Sequence, residues 1–345
     1  MKKIEAKIIA DSKNQYGDRI TTYLLTFPRF ILAELNTHRV FSKNSASSRA
    51  IPFEKMVEMV ETDPFIPIAW QKDHRGMQGI EYMIGEDADQ SKILWDVSKN
   101  EAINTAIDLH NHGTTKQLCN RLLEPFMWHT VLLTGTEWEN FFKLRCPQYV
   151  EYAQFAGGKL VFRSKKEYID TLGKGDDYSE LDWFEINEGQ AEIHMMALAE
   201  AMWDAMNEST PKELKAGEWH IPFSDNINDD KILQKIAKKE EISHLETAYD
   251  IYQYYAIKIA TARCARLSYM TFDGEMDYKK DLKLHDSLLE AHHASPFEHC
   301  CRVLTKEEYN ILGKMVLHPE NGYVFENGWV DNFKGFISYR RILNI

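Results

Sequence analysis

The densest run of reactive side chains lies between His38 and Arg49, where His38, Arg39, Ser42, Asn44, Ser45, Ser47, Ser48 and Arg49 fall within twelve residues. Nearly every one is a hydrogen-bond donor or acceptor. Arginine forks and serine hydroxyls suit a phosphate, and backbone N–H groups in such a segment add to them. The same composition also describes a solvated Ser-rich loop with a helix cap. Two further patches stand out. Asn120-Arg-Leu-Leu-Glu-Pro125 leads into Asn140-Phe-Phe-Lys-Leu-Arg145, and Ala265-Arg-Leu-Ser-Tyr269 is followed by Ser295-Pro-Phe-Glu-His299. Taken singly, Arg121 and Arg145 are surface charges on helices, and Ser295–His299 is a chance run at a helix end.

Other chemistries have less to stand on. The thirteen histidines invite a metal site, with His110 and His112, or His292, His293 and His299, close in sequence. None has HExxH or finger spacing, so no metal is expected. The five cysteines, Cys119, Cys146, Cys264, Cys300 and Cys301, form no CxxC pair. An odd count without that spacing points to a reducing compartment rather than a disulfide framework. Cys146-Pro147 could present a nucleophile, but a buried structural thiol is the default. No GxGxxG occurs, so a Rossmann dinucleotide fold has no support.

Composition narrows the class. In 345 residues, 44% are hydrophobic and 12% aromatic, enough for a substantial core and too much for a disordered chain. The net charge of −12 argues against broad binding to a nucleic-acid polymer. The N-terminus lacks the apolar run of a signal peptide, and no window approaches the roughly 20 apolar residues of a membrane helix. A soluble, cytoplasmic protein with no membrane contact is expected.

The elements that must position these patches can be read from periodicity. Residues 3–10 alternate and 20–27 are β-branched and aromatic, so both predict strands. Pro28 suits a first helical turn, with Phe30, Ile31 and Leu35 following at helical spacing. Ser42 to Pro52 reads as a loop. Residues 95–146 read as largely helical, broken near Glu124-Pro125 and Thr134-Gly135. Residues 150–188 read as an excursion from the core, and 189–206 as a strong helix with Ile193, Met196, Ala197 and Ala201 on one face. Helices return at 245–266 and 277–292, and the tail is aromatic and basic.

Spacing turns the His38–Arg49 run into a signature. Flavin-dependent thymidylate synthases carry RHRxxSxNExSxRY, and His38, Arg39, Ser42, Asn44, Ser47 and Arg49 fall at the matching positions. The chain resembles that family. Thr37, Ser45 and Ala50 depart, standing for Arg, Glu and Tyr. The second patch is similar to a family run with an Arg just before a Pro and an Asn five residues ahead of an Arg; Arg121, Asn140 and Arg145 map onto it. Gln190-Ala-Glu-Ile193 resembles the family's AQWEI helix, although about forty residues separate it from Arg145. The third patch resembles the ARVSY strand start and the [ST]PFEH turn. That block usually precedes the RHR segment, whereas here it lies near the C-terminus, so the chain reads as a circular permutation of the family core. The resemblance is nearest to the longer, phage-type branch, and the tail NFKGFISYRR is similar to it.

The resemblance implies an α+β fold, an antiparallel sheet flanked by helices, in one domain over 1–345 with insertions at about 53–110, 150–188 and 205–245. It implies reductive methylation of dUMP to dTMP with FAD as cofactor, 5,10-methylenetetrahydrofolate as carbon donor and NADPH as reductant. It also implies a homotetramer with shared active sites, in the host cytoplasm if phage-encoded. Arg145 would then hold the pyrimidine ring and stabilise developing negative charge. Ser47, Arg49 and Arg121 would hold the phosphate, while His38, Arg39, Asn44, Asn140, Ser295 and Glu298 would bind or orient FAD. Glu34 stands where the family commonly has Gln, and a carboxylate accepts the exocyclic amine of cytosine better than it meets a carbonyl. A C5 methylase or hydroxymethylase of dCMP is therefore the alternative expectation. A catalytically inactive nucleotide- or flavin-binding homologue is the third.

Overall fold

The computed structural model describes residues 2–75, 79, 81–152, 158–227, 230–239, 247–267, 277–318 and 321–345. Strands β1 (Glu5–Asn14) and β2 (Arg19–Pro28) pair antiparallel. A 3-10 turn at Arg29–Ile31 passes into the short helix α1 (Leu32–Asn36), and β3 (Ser42–Ser45) follows. Helices α2 (Phe53–Thr62), α3 (Glu86–Asn111) and α4 (Lys116–Leu123) come next, then β4 (Trp128–Gly135) and α5 (Glu139–Arg145). The hairpin β5 (Tyr149–Tyr152) and β6 (Lys159–Phe162) leads through α6 (Lys165–Leu172) and α7 (Glu180–Glu185) to the long α8 (Ile193–Glu208). Beyond it lie β7 (Lys212–Leu214), β8 (Trp219–His220), α9 (Asp230–Lys239), α10 (Ala248–Arg266) and α11 (Tyr278–Glu290). The last part holds β9 (Cys301–Val303), α12 (Lys306–Ile311), the hairpin β10 (Gly313–His318) and β11 (Gly322–Asn327), and the short β12 (Trp329–Val330), β13 (Phe333–Lys334), β14 (Phe336–Ser338) and α13 (Tyr339–Leu343).

The main sheet has five strands in the order β3-β4-β2-β1-β7, antiparallel except for β1 with β7. Helices flank it, which is the α+β class expected. Side chains alternate along each strand, so β2 and β4 feed two separate cores. Tyr23, Leu25, Phe27, Val131 and Leu133 face α5 and α8, packing on Phe141, Phe142, Met195, Leu198 and Met202. Leu132 faces the other way, onto Phe223, Cys264 and Leu267.

That double burial corrects the helical reading of 95–146 at its centre. Trp128–Gly135 is a strand clad on both faces. Its apolar run therefore does not alternate, and a short run of that kind cannot be told from helix by period alone. The Ser42–Pro52 reading as a loop is corrected at its start as well. Ser42 to Ser45 pair with Thr134 to Val131 as the edge strand of the sheet. The third patch also differs from the strand start of its counterpart: Ala265 and Arg266 end helix α10, and Ser268 and Tyr269 lie outside the described residues. Arg266 and Arg263 both reach the buried Asp281 of α11, at 2.8 and 3.3 Å.

A buried polar chain ties the C-terminal block to the sheet. Ser12 and Thr22 flank the ring of His220 at 2.9 and 2.8 Å. Thr22 bonds Thr134 at 2.8 Å, and Thr134 bonds Nδ1 of His299 at 2.8 Å. Burial pushes His220 down to about 4 against a smaller opposing pull from Asp11, and burial together with His220 pushes His299 down to about 3. Both rings are neutral at ordinary pH.

Candidate functional site

The alternation of β3 divides the signature segment between two polar clusters. Ser42 and Asn44 share the face of Thr134 and Leu132, towards α10; Lys43 and Ser45 share the face of Leu133 and Val131, towards α5 and α8.

On the first face, the buried Asn44 donates through Nδ2 to the carbonyl of Cys264 and accepts from Ser295 Oγ at 3.3 Å. Residues 251 positions apart in the chain are thus in direct contact. Asn44 spends its side chain on holding the Ser295–Glu298 turn against β3. Next to it is a cavity of about 280 Å³ lined by Ser42, Glu298, Asn332, Ser338, Arg340 and Arg341, at the small end of ligand pockets. Arg340 forms an ion pair with Glu298. Two guanidinium groups with two hydroxyls are donors of the kind that hold a phosphate or pyrophosphate group, and the carboxylates of Glu298 and Asp331 line the same cavity.

On the second face, Arg145 at the end of α5 donates through Nε to His38 Nε2 at 3.1 Å. A guanidinium only donates, so that ring nitrogen accepts and the proton sits on Nδ1. Burial, then Arg145, then Lys43 push His38 down to about 4. Phe141 packs edge-on against the His38 ring, with centroids 4.9 Å apart. Lys43 donates to the His38 carbonyl at 2.6 Å, and burial lowers its ammonium to about 8. Glu34, half-buried on α1, is raised by burial and by Glu192, and lowered by Arg145 and His194. Glu192 caps α8 by accepting from the His194 and Met195 amides at 2.8 and 3.0 Å, and meets His194 Nδ1 at 2.5 Å. The resembling Gln190–Ile193 run therefore delivers an acid to the same neighbourhood as Glu34.

The rest of the signature is pinned from below. Ser45, which stands where the related signature has Glu, bonds the ring of His129 at 2.6 Å. Arg29 reaches that ring at 3.0 Å, and burial followed by Arg29 pushes His129 down to about 3. Ser48 donates to Glu124 at 2.5 Å, and Asn120 donates to the carbonyls of Ser48 and Ile51 at 2.8 and 3.1 Å.

The expected residues thus fall into groups. His38, Arg145 and Glu34 come together, as do Asn44, Ser295 and, through the cavity, Glu298. Arg39, Arg49, Arg121 and Asn140 are exposed, and Ser47 is half-buried in the turn after β3. No hydrogen bond or ion pair between these five and either cluster is seen among the described residues. Sequence reasoning did not single out Lys43, which occupies a variable position of the signature in a segment whose strand character only its pairing with β4 shows. It also left Glu192, Arg340 and Arg341 unassigned, although the last two sit in a tail whose basic character was visible. Burial raises the Cys146 thiol well above its ordinary range, which suits a structural thiol and not a nucleophile. Among the described residues no group of three His, Cys, Asp or Glu side chains could hold a metal ion, and no helix is long and apolar enough to cross a membrane.

No family model matches the chain, and no curated protein matches it. Solved structures of the UMP/dUMP methylase PolB from Streptomyces cacaoi are similar at a low level. The form bound with 5-Br dUMP has 14% identity and a TM-score of 0.35, covering 55% of this chain and 66% of that one, just under two thirds. The form bound with 5-Br UMP has 15% identity and a TM-score of 0.33, covering 45% and 81%. Likeness at this level says nothing about activity.

Proposed function

We propose that this protein is a flavin-dependent pyrimidine-nucleotide C5 methylase of the thymidylate synthase type, converting dUMP to dTMP with methylenetetrahydrofolate and NADPH. The observation that supports this best is the convergence of patches far apart in sequence. Asn44 of the signature meets Ser295 of the displaced turn, and Arg145 of the second patch meets His38 of the signature. Two motifs distant in the chain thus each touch the signature segment, Ser295 at Asn44 on β3 and Arg145 at His38 just before it.

Bound FAD would supply hydride and mediate one-carbon transfer, leaving position and electrostatics to the protein. Ser42, Ser338, Arg340 and Arg341 would hold its phosphates, with Ser295 and Glu298 shaping that side of the site. Arg145 would face the pyrimidine carbonyls and stabilise negative charge on the ring. Neutral His38 fixes the guanidinium without cancelling its charge. Arg39 and Asn140 would serve the flavin side, and Arg49, Arg121 and Ser47 the phosphate, the exposure of the three arginines and Asn140 suiting a site completed by another subunit of a tetramer. The test is the product formed from dUMP, methylenetetrahydrofolate, NADPH and FAD, read by mass. Absence of both turnover and a bound flavin band would refute the reading.

A second reading rests on Glu34, whose half-buried carboxyl stands beside Arg145 with its titration raised by burial and by Glu192. As a carboxylate it would accept the amine of cytosine, making dCMP the substrate of a methylase or hydroxymethylase. Running dUMP and dCMP side by side separates the two.

A further inference from the structure

Lys43 and Arg145 approach one neutral histidine from opposite ends. Lys43 Nζ sits on the main-chain carbonyl of His38 at 2.6 Å, and Arg145 Nε on its ring at 3.1 Å. No ion pair to a carboxylate is seen for either cation among the described residues. Glu34 acts on Arg145 only through space. Two partly desolvated cations without counter-ions attract an anion. Burial alone lowers the Lys43 ammonium to about 8, which accords with a site that lacks its negative partner. Lys43 could instead merely cap the turn after α1 by holding the His38 carbonyl.

Strand parity says which ligand such an anion belongs to. Lys43 lies on the face of β3 opposite Ser42, Asn44 and the cavity of Arg340, and its Nζ reaches His38, which Arg145 also contacts. We propose that Lys43 is an anion anchor on the substrate side, a further donor, besides Ser47, Arg49 and Arg121, to the phosphate of the pyrimidine nucleotide whose ring Arg145 takes. This rests on the methylase reading and deepens it. A phosphate on Lys43 forms a charge-assisted bond that a nucleoside cannot make.

The test compares dUMP with deoxyuridine on the full-length, FAD-supplemented protein by calorimetry. Lys43→Met keeps the apolar stem and removes the charge. The expected result is a dUMP Kd raised about tenfold or more, consistent with a charge-assisted bond, with deoxyuridine unchanged, and recovery of dUMP binding in Lys43→Arg. Equal loss of dUMP and deoxyuridine, or no loss of either, overturns the anchor and leaves the methylase reading standing. If dUMP fails to bind the wild-type protein, the methylase reading fails instead. The anchor is then decided with inorganic phosphate: protection of Lys43 from reductive methylation, read by peptide mass, supports it, and undiminished labelling overturns it.

Discussion

The buried histidine chain makes a sharp prediction about acid stability. His299 is fully buried, its Nδ1 bonded to Thr134 at 2.8 Å and its Nε2 without a hydrogen-bond partner. Burial first, and His220 second, hold it down to about 3, against 6.5 for an unperturbed ring. Above pH 6.5 neither the folded nor the unfolded state is protonated, and the ring's titration costs nothing. As pH falls below 6.5 the unfolded chain takes up a proton that the folded chain refuses, so stability is lost progressively down to about 3. The slope is about 1.4 kcal/mol per pH unit, which integrates to about 2 kcal/mol at pH 5. That is a large part of the ~5–15 kcal/mol that holds a domain together. His220, held at about 4, adds a similar loss. The half-buried Glu200 works in the opposite sense, since desolvation raises it to about 7. His299→Asn keeps a group able to bond Thr134 but does not titrate. Urea denaturation of both proteins at pH 7.5 and 5.0 isolates the term, because Glu200 and the other groups cancel in the comparison. The variant should lose about 2 kcal/mol less than wild type across that interval, whatever its stability at pH 7.5. Equal losses would mean that His299 is not held neutral by burial, and the argument would fail.

Three further outcomes follow from the site. Arg145→Ala should change stability by less than about 1 kcal/mol, because it removes one partly exposed hydrogen bond, while weakening dUMP binding about 10- to 100-fold; imidazole NMR should show His38 titrating above its wild-type value of about 4. Asn44→Ala strands the buried Cys264 carbonyl and frees the Ser295 turn, so it should cost about 1–3 kcal/mol by chemical denaturation and reduce retained flavin on gel filtration. Glu34→Gln presents both a donor and an acceptor to the base, so competition between dUMP and dCMP should shift towards dUMP by about tenfold; an unchanged ratio would remove Glu34 from base selection.

Much of this protein was legible in its sequence. The alternation of 3–10 and the β-branched, aromatic run at 20–27 became β1 and β2, and 245–266 and 277–292 became α10 and α11, while 189–206 became α8 with Met195, Leu198, Ala199 and Met202 on its core face in place of the face through Ala197 and Ala201. The spacing of His38–Arg49 and the Ser295–His299 run marked two segments that the fold brings into contact through Asn44 and Ser295. What the sequence could not decide was set by contacts between distant residues. Trp128–Gly135 is a strand because both its faces are covered, and Ser42–Ser45 is a strand because β4 offers an open edge. Local propensity contains neither fact. The meeting of Asn44 with Ser295, of Arg145 with His38, and of Lys43 with the His38 carbonyl is likewise a product of packing. So is the neutrality of His38, His129, His220 and His299, since a histidine's charge depends on the burial and the cations that the fold places around it.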